Sequence, residues 1–192
     1  MKTFYLVRHA EFDRSRGVFH GRLPVPLTDE GIAHAERVAA FFKDKNITTI
    51  YASEVARCRQ TAEIIQKVTK SPLVFDKRLL EILTVIQGMP MDEYFKDRDI
   101  RYTQVDRFGG ETMRDVQVRM LDFFYDKMKS ESSNLIICSH SDGLDFLYLA
   151  LAKQSLPAST KGLDRAFHIT KGGIRPVTID GASITLEELI TV

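Results

Sequence analysis

Short apolar runs alternate with amphipathic segments along most of the chain. Four runs rich in β-branched and aromatic residues, at 4–7, 47–52, 72–75 and 134–138, are typical of buried strands. Apolar residues recur at helical spacing in the segments that begin near 28, 53, 111 and 142. This alternation predicts an α/β fold of three layers, in which a mostly parallel central sheet has helices on both faces.

The ends of these elements and the weaker stretches between them complete the predicted outline. Thr28 and Ser53 are predicted to cap the first two helices, and Ser141 or Asp142 the last. The segment 84–110 has only a weak pattern and is predicted to form a small cap region over a functional site. Residues 166–186 alternate and contain a Gly-Gly pair at 172–173, which predicts a hairpin of two edge strands. No interior linker is evident, so residues 1–192 are predicted to form a single domain.

Composition narrows the class of protein. The chain has 192 residues, of which 44% are hydrophobic and 28% charged, enough for one well-filled core. A net charge of +1 gives no global field toward nucleic acid or an acidic membrane surface, and no binding to either is expected. No leader or membrane span is expected, and Cys58 and Cys138 are expected to be reduced, which suits a cytoplasmic protein. The sequence does not indicate an oligomeric state.

Residues able to act on a phosphate group follow the predicted strands. Arg8 and His9 end the first strand, Arg57 lies in the helix after the second, Glu81 follows the third and His140 the fourth. Because the carboxyl ends of parallel strands share one edge of a sheet, we expect these groups to converge there.

Together these groups would suit metal-free phosphoryl transfer without a cofactor. Two guanidinium groups can bind phosphate oxygens and also favour a neutral His9, the form able to attack phosphorus. A protonated His140 would add positive charge. Glu81 lies within an apolar run, where a raised pKa would let it protonate the leaving oxygen. The set predicts a phosphohydrolase with a phosphohistidine intermediate.

Six segments, in chain order, resemble motifs of the histidine phosphatase superfamily, also called the phosphoglycerate mutase-like family. They are Arg8-His9-Ala10-Glu11, which is similar to R-H-G-E, then Gly21…Pro26-Leu27-Thr28…Gly31, Ser53…Ala56-Arg57…Gln60-Thr61-Ala62, Leu80-Glu81, Gly110-Glu111-Thr112 and Ser139-His140. The resemblance implies His9 as nucleophile and Glu81 as proton donor. It further implies a phosphate pocket formed by Arg8, Arg57 and His140.

The chain departs from the family pattern at several positions near this pocket. Ala10 replaces a glycine, which is tolerated if its φ is negative. Ser15 stands where an asparagine commonly contacts phosphate, and Pro24 where an aspartate is frequent. Ser141 follows the second histidine where glycine is common. Ser15 and Ser141 are included among the predicted phosphate-binding residues.

Other interpretations of single residues remain open. The proton donor could instead be Glu11 or Asp13, and Glu81 an ion-pair partner. Surface positions are predicted for His20, His34 and Arg59. His168 could reach the pocket, but it is predicted to be a residue of an edge strand with no role in the site. A cysteine phosphatase loop needs an arginine six residues after the cysteine. Positions 64 and 144, six residues after Cys58 and Cys138, are Ile and Leu, so neither cysteine fits such a loop.

The function predicted from these residues is a metal-independent phosphomonoesterase acting on a small phosphorylated metabolite. A phosphoglycerate mutase is an alternative, although mutases of this family usually carry a larger insertion than the 28 residues (82–109) between Glu81 and Gly110. A catalytically inactive phospho-ligand binding module is another. A metal-dependent hydrolase using His9, His20 and His140 lacks the tight ligand spacing of such sites.

Overall fold

The computed structural model describes residues 1–97, 99–103, 109–159 and 167–192. Its central sheet has six strands in the order β3-β2-β4-β1-β5-β6. The strands are β1 (Lys2–Arg8), β2 (Ile47–Ala52), β3 (Leu73–Phe75), β4 (Asn134–Ser139), β5 (Ile174–Asp180) and β6 (Ser183–Leu186). Strands β1 to β4 pair in parallel, whereas β5 is antiparallel to both β1 and β6. The mostly parallel sheet predicted from the sequence is therefore confirmed.

Helices cover both faces of this sheet. They are α1 (Asp29–Phe41), α2 (Ala56–Thr69), α3 (Met91–Tyr94), α4 (Ile100–Thr103), α5 (Met113–Ser130) and α6 (Ser141–Leu151), with a 3₁₀ turn at Lys77–Leu79. Strand β1 is buried on both sides because its side chains alternate between two cores. Phe4 and Leu6 pack with α5 and α6, whereas Tyr5 and Val7 pack with α1 and α2. The three-layer α/β architecture is confirmed.

The helix caps were only partly predicted. Thr28 caps α1 as expected, since its side-chain oxygen accepts a hydrogen bond from the Gly31 amide at 3.0 Å. The prediction for Ser53 was wrong because Val55 is the N-cap of α2 and makes no side-chain capping bond. The N-cap of α6 is His140, so the prediction that Ser141 or Asp142 caps this helix was also wrong.

The C-terminal hairpin exists, but its place in the sheet differs from the prediction. Gly172 and Gly173 precede β5 and do not form the hairpin turn, because β5 ends at Asp180 and β6 begins at Ser183. Strand β5 lies between β1 and β6, so of the two hairpin strands only β6 is at an edge of the sheet. The Gly172 amide donates to the Arg8 carbonyl at 3.1 Å. This turn therefore covers the carboxyl end of β1.

The described part of the predicted cap region contains α3 and α4. An isolated bridge pairs Val18 of the first loop with Pro90 of this segment, and a second bridge joins the two ends of the segment at Thr84 and Gly110. Residues 98 and 104–108 of the predicted cap lie outside the described residues. Among the helices described, none has both the length and the apolar character needed to cross a membrane.

Candidate active site

His9 lies directly after β1 and is buried. Its Nδ1–H donates to the Ala10 carbonyl at 2.8 Å, which leaves the lone pair on Nε2. That nitrogen accepts a hydrogen bond from Nε of Arg57 at 3.1 Å. The backbone carbonyl thus fixes a tautomer in which Nε2 can act as a nucleophile.

Arg57 joins the other groups of the site. It lies in the first turn of α2, and its side chain is 2% exposed. Its Nη2 donates to the Gly21 carbonyl at 2.9 Å and to Nδ1 of His140 at 3.0 Å. The same nitrogen lies 3.3 Å from Oε2 of Glu81. One guanidinium group therefore contacts both histidines and the carboxylate.

His140 completes this cluster from the end of β4. Because its Nδ1 accepts from Arg57, its Nε2–H donates to Oγ of Ser53 at 2.9 Å. Nδ1 is also 3.5 Å from Oε2 of Glu81, and the ring centroids of His9 and His140 are 5.3 Å apart. The structure thus brings together four of the groups that the sequence placed at strand ends.

Burial makes both site histidines neutral. Desolvation is the largest cause that holds the pKa of His9 well below its usual range, followed by the positive charges of Arg57 and Arg8. Desolvation, then Arg57 and His9, lower the pKa of His140 in the same way. A neutral His9 agrees with the sequence analysis. The expectation of a protonated His140 was wrong for the ligand-free site, because burial beside a guanidinium group disfavours a second cation.

These lowered pKa values make stability depend on pH. In the unfolded chain His9 and His140 take up protons near pH 6.5, whereas burial in the folded state resists their protonation. Below about pH 6.5 the unfolded state therefore binds more protons, and the free energy of unfolding falls as pH falls, by up to about 1.4 kcal/mol per pH unit for each histidine. Urea unfolding between pH 7.5 and 5.5 should show a shallower dependence in His140→Gln. An unchanged slope in that variant would contradict a buried neutral His140.

Arg8 supplies the second guanidinium group from the last position of β1. Its Nη1 donates to Nε2 of His168 at 2.8 Å and to the Ile169 carbonyl at 3.0 Å. Its Nε is buried, as is Nη1 of Arg57, and neither nitrogen has a hydrogen-bond partner among the described residues. Since buried N–H groups are usually paired, two such donors indicate a site for an anionic ligand.

Glu81 has more polar surroundings than its apolar sequence context suggested. Besides the contact with Arg57, its Oε1 accepts from the Ile82 amide at 3.0 Å. Its backbone carbonyl accepts from Nε of Arg22 at 2.7 Å, and Arg22 in turn pairs with Glu111 at 3.0 Å. Arg22 was not among the predicted site residues. Its only signal was its place directly after Gly21 in the matched loop.

The two serines predicted to bind phosphate have other neighbours. Ser15 is exposed, and its amide donates to Oδ1 of Asp13 at 2.8 Å. The hydroxyl of Ser141 is 3.4 Å from Oδ2 of Asp145 and 3.4 Å from Nδ1 of His168. No hydrogen bond within the described part of the chain joins either serine to His9 or Arg57, so their phosphate contacts stay predictions.

Two histidines that were predicted at the surface are covered to different extents. His20 is only 7% exposed, and its ring packs on Phe12 with centroids 5.1 Å apart. Its Nε2 has no partner among the described residues. His34 is partly buried, and its ring lies against Gly172. The prediction was wrong for His20, because a polar neighbourhood in sequence does not show which side chains a loop folds inward. On α1, His34 is only partly covered.

The alternative proton donors are engaged elsewhere. The carboxylate of Glu11 pairs with Lys171 at 2.5 Å and with Arg14 at 3.4 Å. Asp13 is exposed and accepts the Ser15 amide. In the part of the chain that the structure describes, no hydrogen bond or ion pair joins either carboxylate to the phosphate-binding groups, whereas Glu81 contacts Arg57 directly. This arrangement favours Glu81 among the three.

Cys58 lies behind the site rather than in it. It is fully buried, with Sγ 3.5 Å from Nε2 of His140, and burial raises the pKa of its thiol. The thiol form therefore predominates, in agreement with a packing role. Among residues 1–97, 99–103, 109–159 and 167–192, no group of three or more His, Cys, Asp and Glu side chains could hold a metal ion.

Comparison with known proteins identifies relatives of this chain. A model of the histidine phosphatase superfamily (branch 1) matches residues 4–189. A curated relative from Yersinia pestis (strain Pestoides F), named "Probable phosphoglycerate mutase GpmB", is 33% identical over 130 residues, covering 62% of this chain and 60% of the relative. The chain thus spans less than two thirds of the length of the curated relatives that it matches.

Solved structures share the fold over nearly the full chain. YhfR from Bacillus stearothermophilus superposes with a TM-score of 0.80 at 23% identity, covering 97% of this chain and 95% of that one. The alpha-ribazole phosphatase from Shigella flexneri gives a TM-score of 0.79 at 21% identity, with coverages of 97% and 95%. These identities establish a common fold. Because the family model also extends over almost the whole sequence, the chain belongs to the histidine phosphatase superfamily, as the resemblance of its motifs implied.

Proposed function

We propose that this protein is a phosphomonoesterase that hydrolyses a small phosphorylated compound through a phosphohistidine on Nε2 of His9. The observation that carries the proposal is the orientation of His9. Its proton lies on Nδ1 and its Nε2 lone pair faces Arg57, 3.1 Å away. The unpaired buried donors of Arg8 and Arg57 supply the charge that a phosphate group requires.

The first chemical step forms the phosphoenzyme. A phosphate ester displaces the contact between Arg57 and the His9 lone pair, and that lone pair attacks phosphorus. As the N–P bond forms, the bond from phosphorus to the leaving oxygen breaks, and the carboxylic acid of Glu81 protonates that oxygen. Arg8 and Arg57 stabilise the charge on the equatorial oxygens. Glu81 is left as a carboxylate.

The second step returns the enzyme to its starting state. The Glu81 carboxylate takes a proton from water as the water oxygen bonds to phosphorus and the N–P bond breaks. Inorganic phosphate leaves, and His9 regains its lone pair. A phosphate dianion bound beside Glu81 favours proton uptake by the carboxylate, which prepares it to act as an acid in the first step.

A phosphoglycerate mutase is the second candidate, because the curated relatives with 33% identity carry that name. Both activities use the same phosphoenzyme and differ in its acceptor. A screen of small phosphate monoesters, with and without chelator, should detect inorganic phosphate released at equal rates in both conditions. Interconversion of phosphoglycerates without phosphate release would favour the mutase. Absence of both phosphate release and phosphoglycerate interconversion would favour a binding module.

Glu81→Gln tests the proposed proton donor. Because an amide cannot donate this proton, we expect kcat/KM, which reports formation of the phosphoenzyme, to fall about 10²- to 10³-fold for an alkyl phosphate, which has a poor leaving group. The loss should be less than about 10-fold for p-nitrophenyl phosphate, whose leaving group needs no proton. Steady-state kinetics on both substrates give the comparison.

Glu11→Gln is the matched control, since Glu11 is the alternative acid in the first loop. It should leave the ratio of the two rates close to that of the wild type. Equal losses on both substrates in Glu81→Gln would contradict its role as the acid. A selective loss on the alkyl phosphate in Glu11→Gln would assign the role to Glu11 instead.

A further inference from the structure

Among the described residues, the Arg8 side chain is held through one of its terminal nitrogens, Nη1. Both protons of Nη1 are used, one by Nε2 of His168 at 2.8 Å and one by the Ile169 carbonyl at 3.0 Å. The Nε–H has no partner among the described residues. The hydrogen bonds that the Arg8 side chain makes with described residues both use Nη1 rather than Nη2. In a guanidinium group, Nε and Nη2 form one edge able to contact two phosphate oxygens at once. The fixed nitrogen thus leaves the binding edge available.

His168 can hold Arg8 only as one tautomer. Since the guanidinium group donates, Nε2 of His168 must carry the lone pair and Nδ1 the proton. That proton is accepted by Oδ2 of Asp145, 2.7 Å from Nδ1. Asp145 lies on α6 and is 3% exposed, so the carboxylate is held within the protein. The opposite tautomer would set an N–H against Arg8 and lose both bonds.

We propose that Asp145 and His168 are positioning residues that orient Arg8 for two-point phosphate binding. Asp145 fixes the tautomer of His168, and His168 with the Ile169 carbonyl fixes the rotation of the guanidinium group. Three elements meet in this relay, since Asp145 belongs to α6, His168 precedes β5 and Arg8 ends β1. The inference rests on the proposed phosphate-binding function of the site. It assigns a role to two residues whose side chains do not contact His9.

The test measures binding of inorganic phosphate by calorimetry, which needs no turnover. His168→Phe keeps a ring but removes the acceptor, and we expect Kd for phosphate to rise about 10-fold, or about 1.4 kcal/mol. KM should rise in parallel while kcat changes less. His168→Gln places an amide oxygen near the position of Nε2 and should restore Kd to within about 3-fold of the wild type. Asp145→Leu, which removes the carboxylate, should resemble His168→Phe.

A double-mutant cycle separates positioning from a general structural effect. If His168 acts through Arg8, His168→Phe should cause no further loss of phosphate affinity in an Arg8→Lys background. Unchanged Kd in His168→Phe, or the same 10-fold loss with and without Arg8, would overturn the inference. Melting temperatures of each variant show whether the fold is retained. Failure of the wild-type protein to bind phosphate would instead contradict the proposed function.

Discussion

His9→Gln is expected to lower kcat for phosphate-ester hydrolysis by about 10⁴-fold or more and to abolish the phosphoenzyme. An amide cannot form the N–P bond. Its oxygen can still accept from Nε of Arg57, so the cluster should keep its hydrogen bonds. The measurements are kcat and covalent labelling after mixing with radiolabelled substrate, with an alkaline quench because phosphohistidine hydrolyses in acid.

His34→Gln is the matched control for this variant. His34 is partly buried on α1 against Gly172, and within the described residues no hydrogen bond joins it to the phosphate-binding groups. It should retain wild-type kcat and labelling. Full labelling of His9→Gln would show that another side chain is the nucleophile, and full turnover without labelling would show direct attack by water.

The convergence of the site was predictable because it follows from sheet geometry. Arg8 and His9 end β1, and His140 follows β4, its parallel neighbour. Arg57 lies in the first turn of the helix that follows β2, and β2 pairs with the other side of β4. The order of the strands was not known from the sequence. It was not needed, since the carboxyl ends of all parallel strands lie at one edge.

Side chains from loops could not be placed in this way. Burial of His20 depends on the path of an 18-residue loop (10–27), in which Gly21 has a φ of +48° and its carbonyl accepts from Arg57. His168 reaches Arg8 because the chain before β5 crosses the end of β1. Long-range packing determines both paths, and it cannot be predicted from hydrophobic periodicity or from the spacing of residues in the sequence.

The wrong predictions for the position of β5 and for the charge on His140 have a similar cause. An alternating strand beside a turn is typical of a sheet edge, but β6 adds a further strand and moves β5 inward. A histidine in a phosphate pocket suggests a cation. The desolvation that lowers the pKa of His140 comes from its complete burial, and sequence gives residue types rather than burial. In each case the strand or residue was identified correctly, and the sequence did not show what surrounds it.

Arg57→Lys is expected to lower kcat/KM about 10³-fold, which corresponds to about 4 kcal/mol of transition-state stabilisation. A lysine keeps the positive charge, so Glu81 retains a cationic neighbour. It lacks the planar fork, and one ammonium group cannot reach His9, His140 and the Gly21 carbonyl together while binding a phosphoryl oxygen. Steady-state kinetics measure the loss in kcat/KM, and calorimetry with inorganic phosphate measures the loss of phosphate affinity.

Arg59→Lys provides a control on the same helix. Arg59 is exposed, as the sequence predicted, and its guanidinium group lies 4.7 Å from the ring centroid of Phe75. The same substitution there should leave kcat/KM within about 2-fold of the wild type, since exposed substitutions usually have small effects. A loss in Arg57→Lys below about 10-fold would mean that charge alone suffices at this position. Arg57 would then act as a counter-ion, and the fork that joins both histidines to Glu81 would not be required for phosphoryl transfer.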